Sequence, residues 1–138
     1  KKLKKNIDTR VRNFKYLHNF FSKFKNIVNL PITNLNARTG WLAFPLTIKN
    51  NLNFDRKDFQ IYFEKNNIQT RTIFTGNILK QPAMKGLKHN SKKDAGDKSN
   101  YVMKNGILLG CHHGLSIKDL DYIAKIFVKF LKLKKYKT

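Results

Sequence analysis

Five residues with hydrogen-bonding side chains or an unusually free backbone lie close together within residues 67–82. They are Arg71, Gly76, Asn77, Lys80 and Gln81. A guanidinium grips an anion with two parallel hydrogen bonds, lysine and amide groups add further donors, and glycine lets the backbone come close to a ligand. These residue types predict a binding site for an anionic or hydroxyl-rich ligand, unless the stretch is only a strand that ends in a turn.

The local pattern predicts how these residues are carried. Residues 68–74 form a short strand, in which polar residues stand between Ile68 and Ile73. Gly76 follows at a point where a positive φ is tolerated, and Pro82 closes the loop. Arg71 is therefore predicted on a strand, and the other four candidates on the loop after it.

Long helices are predicted at both ends of the chain. In the first, over residues 1–29, apolar residues recur at steps of three and four, so that one stripe is buried and lysines and arginines lie opposite. In the last, Ser116 and Asp119 form a capping box, with Leu115 and Leu120 at the spacing of a hydrophobic staple.

The middle of the chain predicts a strand and a helix. Residues 41–48 are rich in β-branched and aromatic residues, and Pro45 among them argues for an edge strand or a bulge. A helix over residues 56–66 follows, capped by Asn53 or Asp55.

The remaining segments complete the predicted fold. Residues 88–100 lose nearly all apolar side chains and are predicted to form an exposed loop. A helical turn over residues 101–105 stops at Gly106, and residues 107–109 form a short apolar strand. Because the connections are too short for most parallel crossovers, the order of elements predicts an α+β fold: a small, mainly antiparallel sheet with helices on one face.

Cys111, His112 and His113 raise the hypotheses of a metal site and of a Cys–His nucleophile pair, since thiolate and imidazole serve in both. Three adjacent side chains do not converge easily on one ion, and the sequence holds no second cluster. No third residue is placed to orient a nucleophile. The favoured interpretation is a turn that positions the last helix, and no metal site is predicted.

The composition of the chain limits its possible fold, partners and location. The 138 residues suit one domain, and 41% hydrophobic and 12% aromatic residues supply a core. The net charge of +21 favours a polyanionic partner such as nucleic acid or an anionic membrane, unless it reflects only a composition rich in Lys, Asn, Ile and Phe. One cysteine forms no internal disulfide, and no long uncharged apolar run is present. We expect a cytoplasmic protein without a membrane span.

Residues 70–83, TRTIFTGNILKQPA, resemble the TR-x-x-F-x-GN-x-x-x-QP segment of the sugar-nucleotide 3-dehydratases. These enzymes belong to the DegT/StrS group of pyridoxal-phosphate-type sugar aminotransferases and dehydratases. The order of other segments is similar too: RNF at residues 12–14, WLAFPLTI at residues 41–48, and residues 110–115 before the last helix. The resemblance covers nearly the whole chain, with its specific part at residues 71–82.

The resemblance implies that residues 1–138 are the C-terminal small domain of a fold-type I enzyme, with residues 1–29 as a linking helix and residues 41–138 as the sheet domain. The N-terminal cofactor domain, the attachment residue of pyridoxal or pyridoxamine phosphate and any [2Fe–2S] cysteines would then precede Lys1. The chain is expected to be inactive alone, and the full-length protein to be a homodimer.

The function implied is 3-dehydration of a CDP-4-keto-6-deoxyhexose, in dideoxysugar synthesis for lipopolysaccharide and O-antigen. A sugar-nucleotide aminotransferase of the same group is the alternative. Arg71 and Lys80 would bind the diphosphate of the nucleotide sugar, Asn77 and Gln81 would hydrogen-bond the substrate, and Gly76 would allow close approach. His112 and His113 are weaker candidates for contacts in this site.

Two hypotheses come from other classes. A basic nucleic-acid-binding module is suggested by the charge alone, and it would need base-stacking aromatics on an open sheet face. No recognised nucleic-acid motif is present in the sequence, so nucleic acid is not the expected partner. A noncatalytic chain that completes the active site of another chain is the second hypothesis.

Overall fold

In a computed structural model, the chain is described for residues 1–34, 36–88 and 95–136. The described residues contain four helices and four strands, with short 3-10 turns at Ser22–Phe24, Ile78–Lys80 and Pro82–Met84. The elements are α1 Lys2–Phe21, β1 Val28–Asn29, β2 Ala43–Ile48, α2 Arg56–Lys65, β3 Thr70–Thr72, α3 Ala95–Asn105, β4 Gly106–Gly110 and α4 Ile117–Leu133.

The strands form one sheet in the order β1-β2-β4-β3, and every neighbouring pair is antiparallel. β4 is the central partner, because Leu109 lies opposite both Phe44 of β2 and Thr70 of β3. Among the described strands, β1 pairs only with Thr47 and Ile48 of β2. Pro45 of β2 is therefore paired on one side only, with β4. The missing N–H of the proline therefore breaks no ladder on the other side.

One face of the sheet carries the core. Along β2 and β4 the alternating residues Phe44, Leu46, Ile107 and Leu109 are buried beneath α1, α2 and α4. Phe21 of α1 contacts both the sheet and α4. Its ring centroid is 5.6 Å from that of Phe44 on β2 and 4.9 Å from that of Phe127 on α4. Aromatic pairs at these separations add to the free energy of burial.

The predicted α+β fold with a small antiparallel sheet is confirmed. α3 takes a different position from the other helices. The Asn29 side chain, next to Thr47 and on the face away from the core, donates to the hydroxyl of Tyr101 at 2.9 Å and to that of Thr47 at 3.2 Å. Tyr101 thereby ties α3 to the outer face of the sheet.

Both predicted helix starts are confirmed. Ser116 caps α4 with Asp119 as its reciprocal partner, and Leu115 is half-buried before the buried Leu120 as the staple requires. At α2 the cap is Asp55 rather than Asn53, again with a reciprocal acidic partner at Asp58. Each box satisfies backbone N–H groups that the first turn of a helix leaves unpaired.

Several predicted boundaries were wrong. The first helix ends at Phe21 instead of extending over residues 1–29, because residues 25–27 turn the chain into β1 and so bring Val28 into the sheet. The strand expected over residues 68–74 has ladder pairs only at Thr70–Thr72. Phe74 cannot continue it, since its φ is +44°, outside the extended region.

The predicted exposed loop over residues 88–100 is also wrong in its last part. α3 begins at Ala95, so the expected helical turn at residues 101–105 is the end of an eleven-residue helix. Side-chain contacts support this polar helix: Asn100 accepts from Asn77 at 2.9 Å, and Tyr101 donates to the carbonyl of Ile48 at 3.0 Å. Residues 89–94 of the predicted loop lie outside the described residues.

Candidate functional site

Arg71 lies in the middle of β3, opposite Leu108 of β4. Thr70 is buried, so the alternation of the strand sends the exposed Arg71 side chain to the outer face. Within the described parts of the chain, no hydrogen bond or ion pair engages its guanidinium. The sequence-based placement of Arg71 on a strand is confirmed, and the side chain is available to a ligand.

The position of β3 is fixed from α2. Asn67 adopts φ +58° just after the helix and turns the chain back, as asparagine does at helix C-termini. The carboxylate of Glu64 then accepts from the backbone N–H of Thr70 at 2.5 Å and from its hydroxyl at 2.9 Å. Gln60 donates to the same hydroxyl at 3.2 Å. The residue before Arg71 is thus held by two side chains of α2.

Arg71 lines a cleft of about 600 Å³ between the β3 end of the sheet and the start of α4. We call this space the Arg71 cleft. Its apolar wall includes Leu42, Leu108, Leu115 and Ile123. Its polar groups come from Asn67, Gln69, Arg71, His112, Asp119 and Tyr122. The volume and the mixture of apolar walls with a few polar groups are those of a small-molecule site.

The loop candidates lie outside the lining of this cleft, and their side chains hold the loop together. Asn77 is buried, accepts from the N–H of Leu79 at 3.0 Å and donates to Asn100 at 2.9 Å. Gln81 donates to the carbonyl of Thr75 at 2.9 Å. Substrate contacts by these two amides, and by the exposed Lys80, stay predictions.

Gly76 adopts the predicted positive φ, +68°. The reason for glycine is also steric, because a Cβ there would lie 2.8 Å from the Cα of Met103 and 2.4 Å from its Cβ. The close approach that glycine allows is therefore to α3 in this structure. Approach to a ligand at Gly76 stays a prediction.

The two adjacent histidines separate. His112 lines the Arg71 cleft, whereas His113 is exposed and does not belong to the lining. The N–H of Gly114 donates to Nδ1 of His112 at 3.2 Å. The turn thus places His112, one of the two weaker candidates, in the same cleft as Arg71, and leaves His113 outside its lining.

Cys111 precedes these histidines but is buried under the sheet. Its thiol donates to the carbonyl of Trp41 at 3.4 Å, and burial raises its pKa to about 11. The thiol is therefore protonated near neutral pH, which suits neither a nucleophile nor a thiolate ligand. Across residues 1–34, 36–88 and 95–136, no three acidic, cysteine or histidine side chains are grouped to hold a metal ion.

Sequence reasoning missed three residues that shape the cleft. Gln69 and Asp119 line it, the first next to Arg71 in sequence and the second as the capping-box residue of α4. Asn13 supports it from behind: this fully buried amide donates to the carbonyl of His112 at 2.8 Å. The sequence did contain one indication of Asn13: it is a polar residue four positions before Leu17, on the stripe of α1 that is buried.

Asp119 serves two purposes at the rim of the cleft. Its Oδ2 accepts from the hydroxyl and from the backbone N–H of Ser116, each at 2.7 Å. The Ser116 hydroxyl, followed by that N–H, lowers the pKa of Asp119 below its ordinary 3.8. A carboxylate therefore faces the cleft across the whole neutral range.

No helix within the described residues is both long and apolar enough to traverse a bilayer.

Known proteins resemble this chain over most of its length. It is 26% identical over 129 residues to the lipopolysaccharide biosynthesis protein RfbH of Salmonella typhimurium, which covers 92% of this chain and 29% of that protein. It is 28% identical over 126 residues to the GDP-4-keto-6-deoxy-D-mannose 3-dehydratase of Escherichia coli O55:H7, covering 91% of this chain and 32% of that enzyme. The chain thus spans about a third of the length of these relatives.

The fold comparison agrees with these matches. A crystal structure of GDP-4-keto-6-deoxymannose-3-dehydratase with a trapped PLP-glutamate geminal diamine matches with a TM-score of 0.79 and 25% identity, over 91% of this chain and 32% of that one. The model of the DegT/DnrJ/EryC1/StrS aminotransferase family matches residues 1–128. This chain belongs to the DegT/DnrJ/EryC1/StrS aminotransferase family.

Proposed function

We propose that this chain is the substrate-binding small domain of a sugar-nucleotide 3-dehydratase that uses pyridoxal or pyridoxamine phosphate. Its substrate is a CDP-4-keto-6-deoxyhexose, on the route to dideoxysugars of lipopolysaccharide and O-antigen. The observation that carries the proposal is the guanidinium of Arg71, which lines a ligand-sized cleft without a partner among the described side chains. The names of the relatives, two of them concerned with lipopolysaccharide synthesis or 3-dehydration, support it.

The chemistry of the cleft suits a nucleotide sugar. Arg71 binds diphosphate oxygens through charge-assisted hydrogen bonds, each contributing about 1.5–3 kcal/mol. The leucines of the apolar wall cover the less polar faces of base and sugar, while Gln69 and Asp119 offer an amide and an acceptor for hydroxyl groups. Lys80 adds positive charge from the neighbouring loop.

The described residues that line this cleft do not form an attachment site for pyridoxal phosphate. Pyridoxal phosphate is held in enzymes by a lysine Schiff base, and the described residues that line the cleft include no lysine. We therefore assign substrate binding to this chain, and the cofactor and its chemistry to a part of the protein that the relatives have and this chain does not span. The names of the relatives do not support an iron–sulfur cluster.

In the cell the proposed enzyme is a cytoplasmic homodimer, and this chain alone is inactive. A sugar-nucleotide aminotransferase is the alternative within the family, whose description includes that activity. Two similar proteins carry an activity in their names: the Escherichia coli enzyme and the protein of the crystal structure. Both are 3-dehydratases, which favours dehydration.

The nucleic-acid hypothesis finds less support. Base-stacking aromatics would have to lie on the open face of the sheet, but the residues of β2 and β4 that face outward there are Ala43, Pro45, Thr47 and Leu108.

The experiment is substitution of Arg71 in the protein that carries this chain, with turnover of CDP-4-keto-6-deoxyglucose as the readout. Arg71→Ala is expected to lower kcat/KM by at least tenfold, mostly through KM, with Arg71→Lys intermediate because it keeps charge without the two-pronged grip. Arg38→Ala removes the same charge from an exposed position outside the cleft and is the matched control. Equal kcat/KM in Arg71→Ala and Arg38→Ala would refute the assignment.

A further inference from the structure

His112 is the second basic side chain in the Arg71 cleft, and its backbone is fixed from two sides. Its carbonyl accepts from the side-chain amide of Asn13 at 2.8 Å and from the N–H of Leu115 at 3.2 Å. The Oδ1 of Asn13 is occupied by Arg12, whose Nε and Nη2 donate to it at 3.1 and 2.9 Å. The amide of Asn13 is therefore oriented with its donor toward His112.

The imidazole ring is held as well. The N–H of Gly114 donates to Nδ1 at 3.2 Å. A Cβ on Gly114 would lie 3.1 Å from Nδ1 and 3.3 Å from Cε1, and one on Gly110 would lie 3.6 Å from Cδ2. Two glycines thus flank the ring closely, and backbone and ring are placed before any ligand arrives.

The contact at Nδ1 decides where the ring hydrogen is. An imidazole nitrogen that accepts a hydrogen bond carries no hydrogen, so the neutral ring has its hydrogen on Nε2. Among the described residues, no group accepts from Nε2. The free edge of His112 is consequently a hydrogen-bond donor at the cleft.

We infer that His112 is a further ligand-contacting residue, which donates from Nε2 to a hydroxyl or carbonyl oxygen of the hexose while Arg71 holds the diphosphate. This inference rests on the proposed function and assigns the sugar end of the substrate. Asp119 lines the same cleft with a negative charge, which repels a phosphate group but accepts from a sugar hydroxyl. A hydrogen-bond donor that shares a cleft with a carboxylate fits a hydroxyl-bearing group better than an anion.

Asn13 is the positioning residue in this arrangement. It does not line the cleft and acts through the carbonyl of His112. Its Nδ2 also lies 3.4 Å from the carbonyl of Leu115, the residue before the cap of α4. One buried amide thus ties α1 to the turn that carries His112.

The first test is NMR of this chain with its histidine side chains labelled with nitrogen-15, at a pH where the rings are neutral. Long-range proton–nitrogen spectra distinguish the two neutral tautomers. We expect the Nε2–H form for His112, and loss of that preference in Asn13→Ala, which frees the turn. A dominant Nδ1–H form of His112 in the unsubstituted chain would overturn the inference.

The second test follows the signals of His112 and of the Arg71 Nε–H during titration with CDP-glucose, and with GDP-mannose in parallel. Both signals are expected to move. Movement at Arg71 without movement at His112 leaves the proposed function standing and refutes the role of His112. If neither signal moves, the proposed substrate binding by this chain fails together with the inference.

Matched substitutions separate the two nitrogens. Glutamine places an amide donor near the position of Nε2, whereas asparagine reaches only the position of Nδ1. His112→Gln is expected to keep the Kd for CDP-glucose within about threefold, and His112→Asn to weaken it about tenfold, the loss of one hydrogen bond. His113→Asn, at the exposed neighbour outside the cleft, should leave the Kd unchanged; equal losses in His112→Gln and His112→Asn would contradict a donor at Nε2.

Discussion

The side-chain amide of Asn13, buried in α1, donates to the backbone carbonyl of His112 across ninety-nine positions of sequence at 2.8 Å. This bond joins the first helix to the turn between β4 and α4, which forms one wall of the Arg71 cleft. Both ends of the Asn13 amide are used, and the described residues contain no buried side-chain polar atom without a partner. The cleft is therefore supported by a satisfied polar contact within an otherwise apolar core.

Removing this amide should destabilise the fold. Asn13→Ala removes one of the two donors to the His112 carbonyl and deprives Arg12 of an acceptor, at an expected cost of about 1–3 kcal/mol in the free energy of unfolding. Urea denaturation measures it. Asn19→Ala, at an exposed position of the same helix, is the control and should stay within about 0.5 kcal/mol of the unsubstituted chain. Equal stability of the two variants would show that the bond contributes nothing.

The capping box of α4 should make the stability of the fold depend on pH in the acidic range. The Ser116 hydroxyl lowers the pKa of Asp119 below its ordinary 3.8, so the folded state favours the carboxylate. The carboxylate therefore contributes fully to the free energy of unfolding above the pKa of Asp119 in the unfolded state. That contribution is lost as the pH falls through the lower pKa of the folded state. Melting temperatures of the unsubstituted chain and of Asp119→Asn should therefore differ at pH 6 and converge as the pH approaches 2. A difference between their melting temperatures that stays constant over this range would contradict the assignment.

Gly76 and Gly86 both have positive φ, so substitutions at the two positions separate the cost of the backbone conformation from the cost of a steric contact. Gly86 has φ +82° with open space around it, so Gly86→Ala meets only the cost of the left-handed conformation, about 1–2 kcal/mol. Gly76→Ala meets that cost and also the backbone of Met103 at 2.8 Å, which should add about 1–3 kcal/mol. Urea denaturation of both variants compares them directly. A smaller loss at Gly76 than at Gly86 would mean that the loop does not pack on α3 as observed.

Local signals in the sequence were sufficient for much of the fold. The capping box at Ser116 and Asp119 and the apolar strand before Gly110 are properties of neighbouring residues, and both are confirmed. The predicted stripe of α1 is buried at Phe14, Leu17 and Phe21, whereas Leu3 at its start is 69% exposed. The position of Arg71 on a strand is confirmed as well, although Phe74 with its positive φ ends that strand earlier than predicted.

Long-range contacts explain what the sequence did not reveal. α3 lacks a long apolar stripe, and its stability draws on partners such as Asn77 and Ile48, which lie at least 23 positions away. The same holds for the cleft. Asn77 and Gln81, which follow Arg71 closely in sequence, were predicted to act with it, and that stays a prediction. The antiparallel pairing of β3 with β4 brings the distant His112 to the same cleft as Arg71. Only the sheet register places residues 71 and 112 together.

The most direct test of the central claim is a crystal structure of the protein that carries this chain with CDP-glucose bound. We predict diphosphate oxygens within about 3 Å of the Arg71 guanidinium nitrogens, and the hexose in the cleft beside His112. A nucleotide sugar bound elsewhere, with the Arg71 cleft containing only water, would contradict the account.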